Sequence, residues 1–433
     1  MKTLRSTGSS VVSGISKAAS ATYKVVSPHI PRVGDEFTNI DTYALSVPRT
    51  AEATVALLAQ NLTQTSRTER EKARAIFRWI ANSIDYDDTA QRAGAQRQET
   101  AEEVLRSRHA VCQGYANLFA ALAQAAGLEA KVVAGFGRGS GYWPGAAYGP
   151  NENHAWNAVR INGRWELLDC TWGTGYYDRY AGRTVRRFEP FYFLTDPGEF
   201  LYSHFPADST YQFIRPSLSQ AEHERLADLK PAFFRNELKL DKEKQNTLLF
   251  DQSVKIAFRT PSRAFLSATL ERADGSRDEG ATFCQREARD YSVYVVTSRA
   301  GEHMLRIFVG SKDQAVQEEA VVYRVTSRSG TGHPNNLPKV YLPFQTHGAR
   351  LDKPFSGTLR ARTIQHFSIT VPDALNVAVM TGGAMVHLPR EDDHFAGDVD
   401  LQAGPVTIAA QFGSKPQPGQ EVSYEGLLEF QAS

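Results

Sequence analysis

The dipeptide Asn162-Gly163, set between two apolar-rich runs, constrains this chain more than any other short segment. A type I′ turn needs positive φ at both central residues, and Asn-Gly supplies it best. The segment from His154 to Trp172 is therefore expected to form an antiparallel hairpin. A two-residue turn pairs Ile161 with Arg164, and stepping outward pairs Trp156 with Asp169 and His154 with Thr171. Opposed residues share a face, as do positions two apart on one strand. His154 and Asp169 then become diagonal neighbours, about 7 Å apart between backbone positions and within side-chain reach. A slip of one residue would send them to opposite faces.

Upstream, residues 110–127 read as an amphipathic helix, with Tyr115, Leu118, Phe119, Leu122 and Ala126 at helical spacing and Gly127 as a stop signal. Cys112 falls in the first turn, where backbone N–H groups have no helical acceptor. The positive end of the helix favours thiolate over thiol, from an ordinary pKa of about 8.5. The same N–H groups suit an oxyanion formed during acyl transfer. A buried small apolar residue is the competing reading of Cys112 alone. A thiol at a helix start, with an imidazole and a carboxylate on one hairpin face, together favour a nucleophile, its base and an orienter.

The blocks Val111-Cys-Gln-Gly-Tyr-Ala, Asn153-His-Ala-Trp-Asn and Leu167-Leu-Asp-Cys-Thr-Trp-Gly resemble the transglutaminase-like superfamily of papain-type thiol enzymes. The stretch from Ala75 to Tyr86 is similar to that family's helix and following Tyr. Phe191-Tyr-Phe-Leu-Thr-Asp-Pro and His204-Phe-Pro-Ala-Asp resemble the kyphoscoliosis-peptidase branch, in which Ig-like domains follow the core. The resemblance implies Cys112 as nucleophile, His154 as general base and Asp169 as orienter. It leaves the oxyanion hole open. The Gln that papain-type enzymes place six residues before the nucleophile is Arg106 here. A transglutaminase uses an upstream Trp, for which Trp79 is the candidate, although a core position is the favoured reading of that residue. Gln113, Tyr142, Trp143, Trp156 and Trp172 complete the candidates for oxyanion or substrate contacts.

The expected fold class is α+β: a transglutaminase-like, papain-like core at 35–240, then two all-β Ig-like sandwiches at 241–330 and 331–433. Helical patterns precede a strand at 130–134 and the hairpin. Ser66-Arg-Thr-Glu69 and Thr100-Ala-Glu-Glu103 are capping-box candidates. Residues 135–150 form a long loop rich in glycine and aromatics. It either covers the cleft, with Tyr142, Trp143 and Tyr148 on substrate, or is a solvent loop pinned by its aromatics. Residues 171–177 are expected to form the opposite rim. Residues 1–34 read as a flexible tail, with a weak apolar pattern at Val11, Ile15, Ala18 and Ala19.

A net charge of +1 gives no electrostatic case for nucleic acid or a membrane surface. No apolar run is long enough to span a bilayer. Three scattered cysteines give neither a disulfide framework nor zinc spacing. No cofactor and no metal is expected, Cys284 reads as structural, and no signal peptide is recognisable. The compartment stays open between the cytoplasm and export by another address. The leading expectation is an amide-bond enzyme on protein substrates, with peptide hydrolysis ahead of deamidation or crosslinking. The competing one is a scaffold whose β domains dock a structural partner. A small-molecule acyltransferase or glycan amidase is the weaker third.

Overall fold

The computed structural model describes residues 24–25, 36–93, 99–178, 181–261, 264–288, 290–311, 314–413 and 422–433. Most of the expected tail, including the Val11 to Ala19 pattern, lies outside the described residues. Lys24 and Val25 pair antiparallel with Arg215 and Ile214.

The core packs helices against one antiparallel sheet, with strand order Arg164–Leu168, His154–Ile161, Ala130–Gly137 and His204–Pro206. Helix Glu69–Ser83 buries Ala73, Ile76, Phe77 and Ile80, the stripe that its apolar spacing dictates. Its capping box is Thr68 with Glu71, two residues beyond the Ser66-Glu69 pair read from the sequence. Glu69 is engaged elsewhere, accepting from the Asn162 N–H at 2.5 Å and so tying the helix to the hairpin turn. Thr100 and Glu103 form the capping box expected of them. Helix Cys112–Ala125 then starts directly at the thiol. Gly114 explains the glycine of the Cys-Gln-Gly run. A Cβ there would lie 2.8 Å from Ala110 Cβ and 2.9 Å from Val104 Cγ2, so only glycine lets helix Ala101–Ser107 approach this closely.

The hairpin register is the expected one as far as Leu168, from Ile161 opposite Arg164 to Asn157 opposite Leu168. Asn162 and Gly163 take φ of 50° and 80°, as a type I′ turn requires. Asp169 departs from the expectation. The strand ends at Leu168, and Asp169 is the N-cap of helix Cys170–Thr174, accepting from the Thr171 and Trp172 N–H groups. Thr171 therefore turns into that helix instead of facing His154. Capping prevails because an Asp side chain satisfies two otherwise orphaned donors there.

Asn157, fully buried on the central strand, donates to the Ala116 carbonyl at 2.9 Å and the Lys131 carbonyl at 3.3 Å. It fixes the strand that carries His154 against the helix that carries Cys112. Asn157→Ala is expected to cost about 1–3 kcal/mol, since two buried carbonyls lose a donor. Chemical denaturation of the variant and wild type measures this.

Two β-sandwiches follow. The first pairs Asp228–Leu229, Gln314–Ser327, Gly301–Ser311 and Ala264–Arg272 in one sheet, with Thr247–Phe250 parallel to Gln314–Ser327. Its other sheet is Lys239–Leu240, Ser253–Arg259, Asp290–Val296 and Thr282–Glu287. Ile256, Val293, Leu305 and Tyr323 fill the space between. This sandwich takes its earliest strand from Asp228–Leu229, ahead of residue 241. A two-residue strand is too short to show the alternation by which strands are read. The second sandwich runs from Lys339–Val340 to Glu425–Ala432 around Phe367, Ile369, Val379 and Leu428. Among the described residues no helix is long and apolar enough to cross a membrane.

Candidate active site

Cys112, His154 and Asp169 come from three elements that the packing above holds in register. His154 Nε2 lies 2.8 Å from Asp169 Oδ2. An ionised carboxylate only accepts, so Nε2 carries the proton and Nδ1 is left for the thiol. Asp169 is fully buried, and burial alone would raise its pKa. The His154 charge and hydrogen bonds from His154 and His204 outweigh burial and hold the carboxyl well below its usual range. Burial opposes charge on His154 too, but Asp169 and then Cys112 override it and raise the imidazole to about 10. Cys112 is partly exposed. Burial pushes its thiol up, and the hydrogen bond and charge of His154 bring it below the ordinary value. The trio thus favours a thiolate beside an imidazolium.

His204 was not singled out among the sequence candidates. It is fully buried, donates from Nε2 to the same Asp169 Oδ2 at 3.1 Å, and receives the Ser203 hydroxyl at Nδ1 at 2.8 Å. It stacks on Phe200 with centroids 3.9 Å apart. Burial is the largest influence on His204 and lowers it to about 4, so the ring stays neutral and leaves the Asp169 charge intact. Four donors saturate the carboxylate: two imidazoles on Oδ2, and the Thr171 and Trp172 N–H groups on Oδ1. The ligand atoms of His154, Asp169 and His204 all lie within 4.8 Å of one another. Their hydrogen bonds already occupy both Nε2 atoms and Oδ2, and two of the three residues are fully buried, so the set fits a relay better than a metal centre with an open position.

The other candidates divide. Trp172 stacks on the His154 ring with centroids 4.7 Å apart and lines the cleft, as do Tyr142 and Trp143. Trp156 is not on the cleft. It is 1% exposed and packs edge-on against His204 with centroids 4.9 Å apart, which makes it a floor beneath the two histidines. Trp79 is 2% exposed in the helical core, under the Arg108 guanidinium, and is absent from the cleft wall. Gln113 turns along its own helix to donate to Asn117 Oδ1 at 2.9 Å. Neither Trp79 nor Gln113 therefore offers a side-chain donor to the cleft. Tyr86 does line it, and the Cys112 charge helps raise its phenol. The backbone N–H groups of Cys112 and Gln113, at the start of their helix, have no intrahelical acceptor. The glycine-rich loop lines the cleft and is pinned by its aromatics. Tyr148 stacks on Phe136 and Tyr142 accepts from Asn246, while Trp143 stays 52% exposed.

Residues 56–170 match the family model of the transglutaminase-like superfamily, and residues 220–338 match that of the KY-like, immunoglobulin-like domain. The chain thus carries a transglutaminase-like core followed by an Ig-like domain of the KY type. It is 31% identical to human (Homo sapiens) kyphoscoliosis peptidase over 64% of this chain and 41% of the relative. It is 30% identical to the Lim and transglutaminase domain protein ltd-1 of Caenorhabditis elegans over 53% of this chain and 33% of the relative. The chain spans less than half the length of these curated relatives. A crystal structure of a TGase is 21% identical over 33% of this chain and 34% of that one, with a TM-score of 0.21.

Proposed function

We propose that this chain is a cysteine-dependent amide-bond enzyme acting on protein substrates, with peptide hydrolysis as its leading reaction. The observation that carries the reading is the Asp169 carboxylate held under His154, beside a thiol whose pKa is depressed. The Cys112 thiolate attacks the amide carbonyl carbon, a C–S bond forms, and the C=O electron pair moves onto oxygen, facing the first-turn N–H groups. Collapse breaks the C–N bond, and the leaving nitrogen takes the proton from His154 Nδ1. Water then loses a proton to the same atom as it attacks the thioester and frees the thiolate. Asp169 stays ionised and keeps the ring in one orientation. His204 acts through Asp169 and is a positioning residue.

Deamidation follows the same steps on a side-chain amide, and crosslinking replaces water by an amine. A relative named as a peptidase favours hydrolysis. Mass spectrometry of candidate proteins incubated with wild type and Cys112→Ala tests the reading. Wild-type-dependent fragments are expected. A small mass gain from amide to acid would reassign the reaction to deamidation, and a higher-mass adduct to crosslinking. No change with any candidate while Cys112→Ala retains every biological activity would favour a scaffold.

A further inference from the structure

We propose that the KY-like Ig domain is one wall of the substrate site, and that the cleft takes an extended polypeptide with aromatic or other apolar side chains flanking the reacting amide. The inference rests on the thiol-enzyme reading above and adds the substrate class and the second wall.

The cleft, about 870 Å³, reaches His154 and Tyr86. Trp143, Trp172, Tyr176 and Tyr177 line it from the core. Asp228, Lys230, Met304, Arg306, Glu319 and Val322 line it from the Ig domain. The volume sits at the upper end of ligand sites, roughly 300–1,000 Å³. A cleft of this volume running between two domains has room for a short strand of chain.

The Ig wall is fixed against the core. Arg138, only 4% exposed, donates to the carbonyls of His223, Leu226 and Ala227. The Tyr148 N–H reaches Glu224 at 2.9 Å, and Arg235 bridges Glu189 of the core and Glu318 of the Ig domain. Removing a donor from so many buried carbonyls is costly, so this contact is a rigid seat for the Ig domain.

The charges that the Ig domain brings to the cleft are paired. Lys230 pairs with Asp228 at 2.8 Å, and Arg306 pairs with Glu271 at 2.9 Å and Glu319 at 2.6 Å. Arg187 pairs with Glu318 at 3.3 Å. A wall of matched pairs exerts little pull on an ionised ligand. What the rim offers instead is aromatic surface, with Trp143, Tyr176 and Tyr177 at 52%, 46% and 37% exposure. Such side chains bind apolar and aromatic groups through large contact areas.

The test compares three alkylating reagents on the full chain: iodoacetamide, a ten-residue peptide chloromethylketone with Phe and Tyr beside the warhead, and a Gly-Ser peptide with the same warhead. Wild type is expected to react at Cys112 at least tenfold faster with the peptide than with a Gly-Ser peptide bearing the same warhead. Glu319→Trp and Lys230→Trp each fill the cleft from the Ig side at half-exposed positions. Each is expected to lower the peptide rate, taken relative to the iodoacetamide rate of the same variant, about tenfold. Thermal unfolding of both variants identifies one that has lost its fold, and the other then decides. Full peptide reactivity in a folded variant would overturn the second wall. Equal rates for the aromatic and Gly-Ser peptides would overturn the substrate class. Failure of iodoacetamide itself to label Cys112 would instead remove the thiol-enzyme reading beneath both.

Discussion

Cys112→Ala is expected to abolish iodoacetamide labelling of the folded protein at neutral pH, with thermal unfolding close to wild type. Cys112 is the one partly exposed cysteine; Cys170 and Cys284 are buried, and burial drives both thiols up. Neither supplies a thiolate in the native state, so the label reports one residue. Alanine is also a better helix former than cysteine at the start of Cys112–Ala125, which spares the fold. The pH dependence has a definite sign. Thiolate is present above the lowered Cys112 value and is lost as pH falls through it. Imidazolium is present below about 10 and is lost above it. The labelling rate of wild type should therefore rise at a pH below the roughly 8.5 of a free cysteine. A profile that rises only near the free-thiol value would contradict the ion pair.

Asp169→Asn is the second large effect, expected to lower turnover by a factor on the order of 10⁴, the scale seen when a triad carboxylate becomes an amide. The amide's N–H₂ replaces either Oδ2, to which both rings donate, or Oδ1, to which the Thr171 and Trp172 N–H groups donate, so two donors lose their acceptor whichever way it turns. Two electrostatic consequences oppose each other at the thiol. The negative charge of Asp169 itself disfavours a thiolate, and its loss would lower the Cys112 value. The same charge sustains the imidazolium, and its loss would raise that value. Asp169 is the smallest of the named influences on Cys112, while the His154 hydrogen bond and charge are larger. The net shift is upward, toward ordinary thiol behaviour. The iodoacetamide rate against pH in the variant reads this directly, and an unmoved or lowered inflection would sever His154 from Asp169.

The hairpin and the meeting of His154 with Asp169 were legible because one dipeptide sets the register, and register sets which faces meet. Helix Cys112–Ala125 was legible because its apolar period is unbroken over three turns. His204 was not. It lies 35 residues from Asp169 on a three-residue strand, where no periodicity accumulates. Its partnership exists only because Ala130–Gly137 pairs with both His154–Ile161 and His204–Pro206. The aromatic positions were hidden for a different reason, although a core place for Trp79 was the favoured reading. Sequence places Trp79 and Trp156 near the motifs but does not say which way an indole points, and both point inward. The junction with the Ig domain was hidden likewise. Arg138 and its carbonyl partners at 223–227 are more than 80 residues apart.

Asp169 serves two masters: it begins a helix and steadies two rings. A lineage drifting away from chemistry would find the thiol easy to discard and the acid hard to lose. Silent descendants of this architecture should therefore bear a mutated nucleophile above an untouched aspartate. For the same reason an alanine at 112 offers a folded twin in which the proposed reaction is stopped, for capturing what the wild type binds.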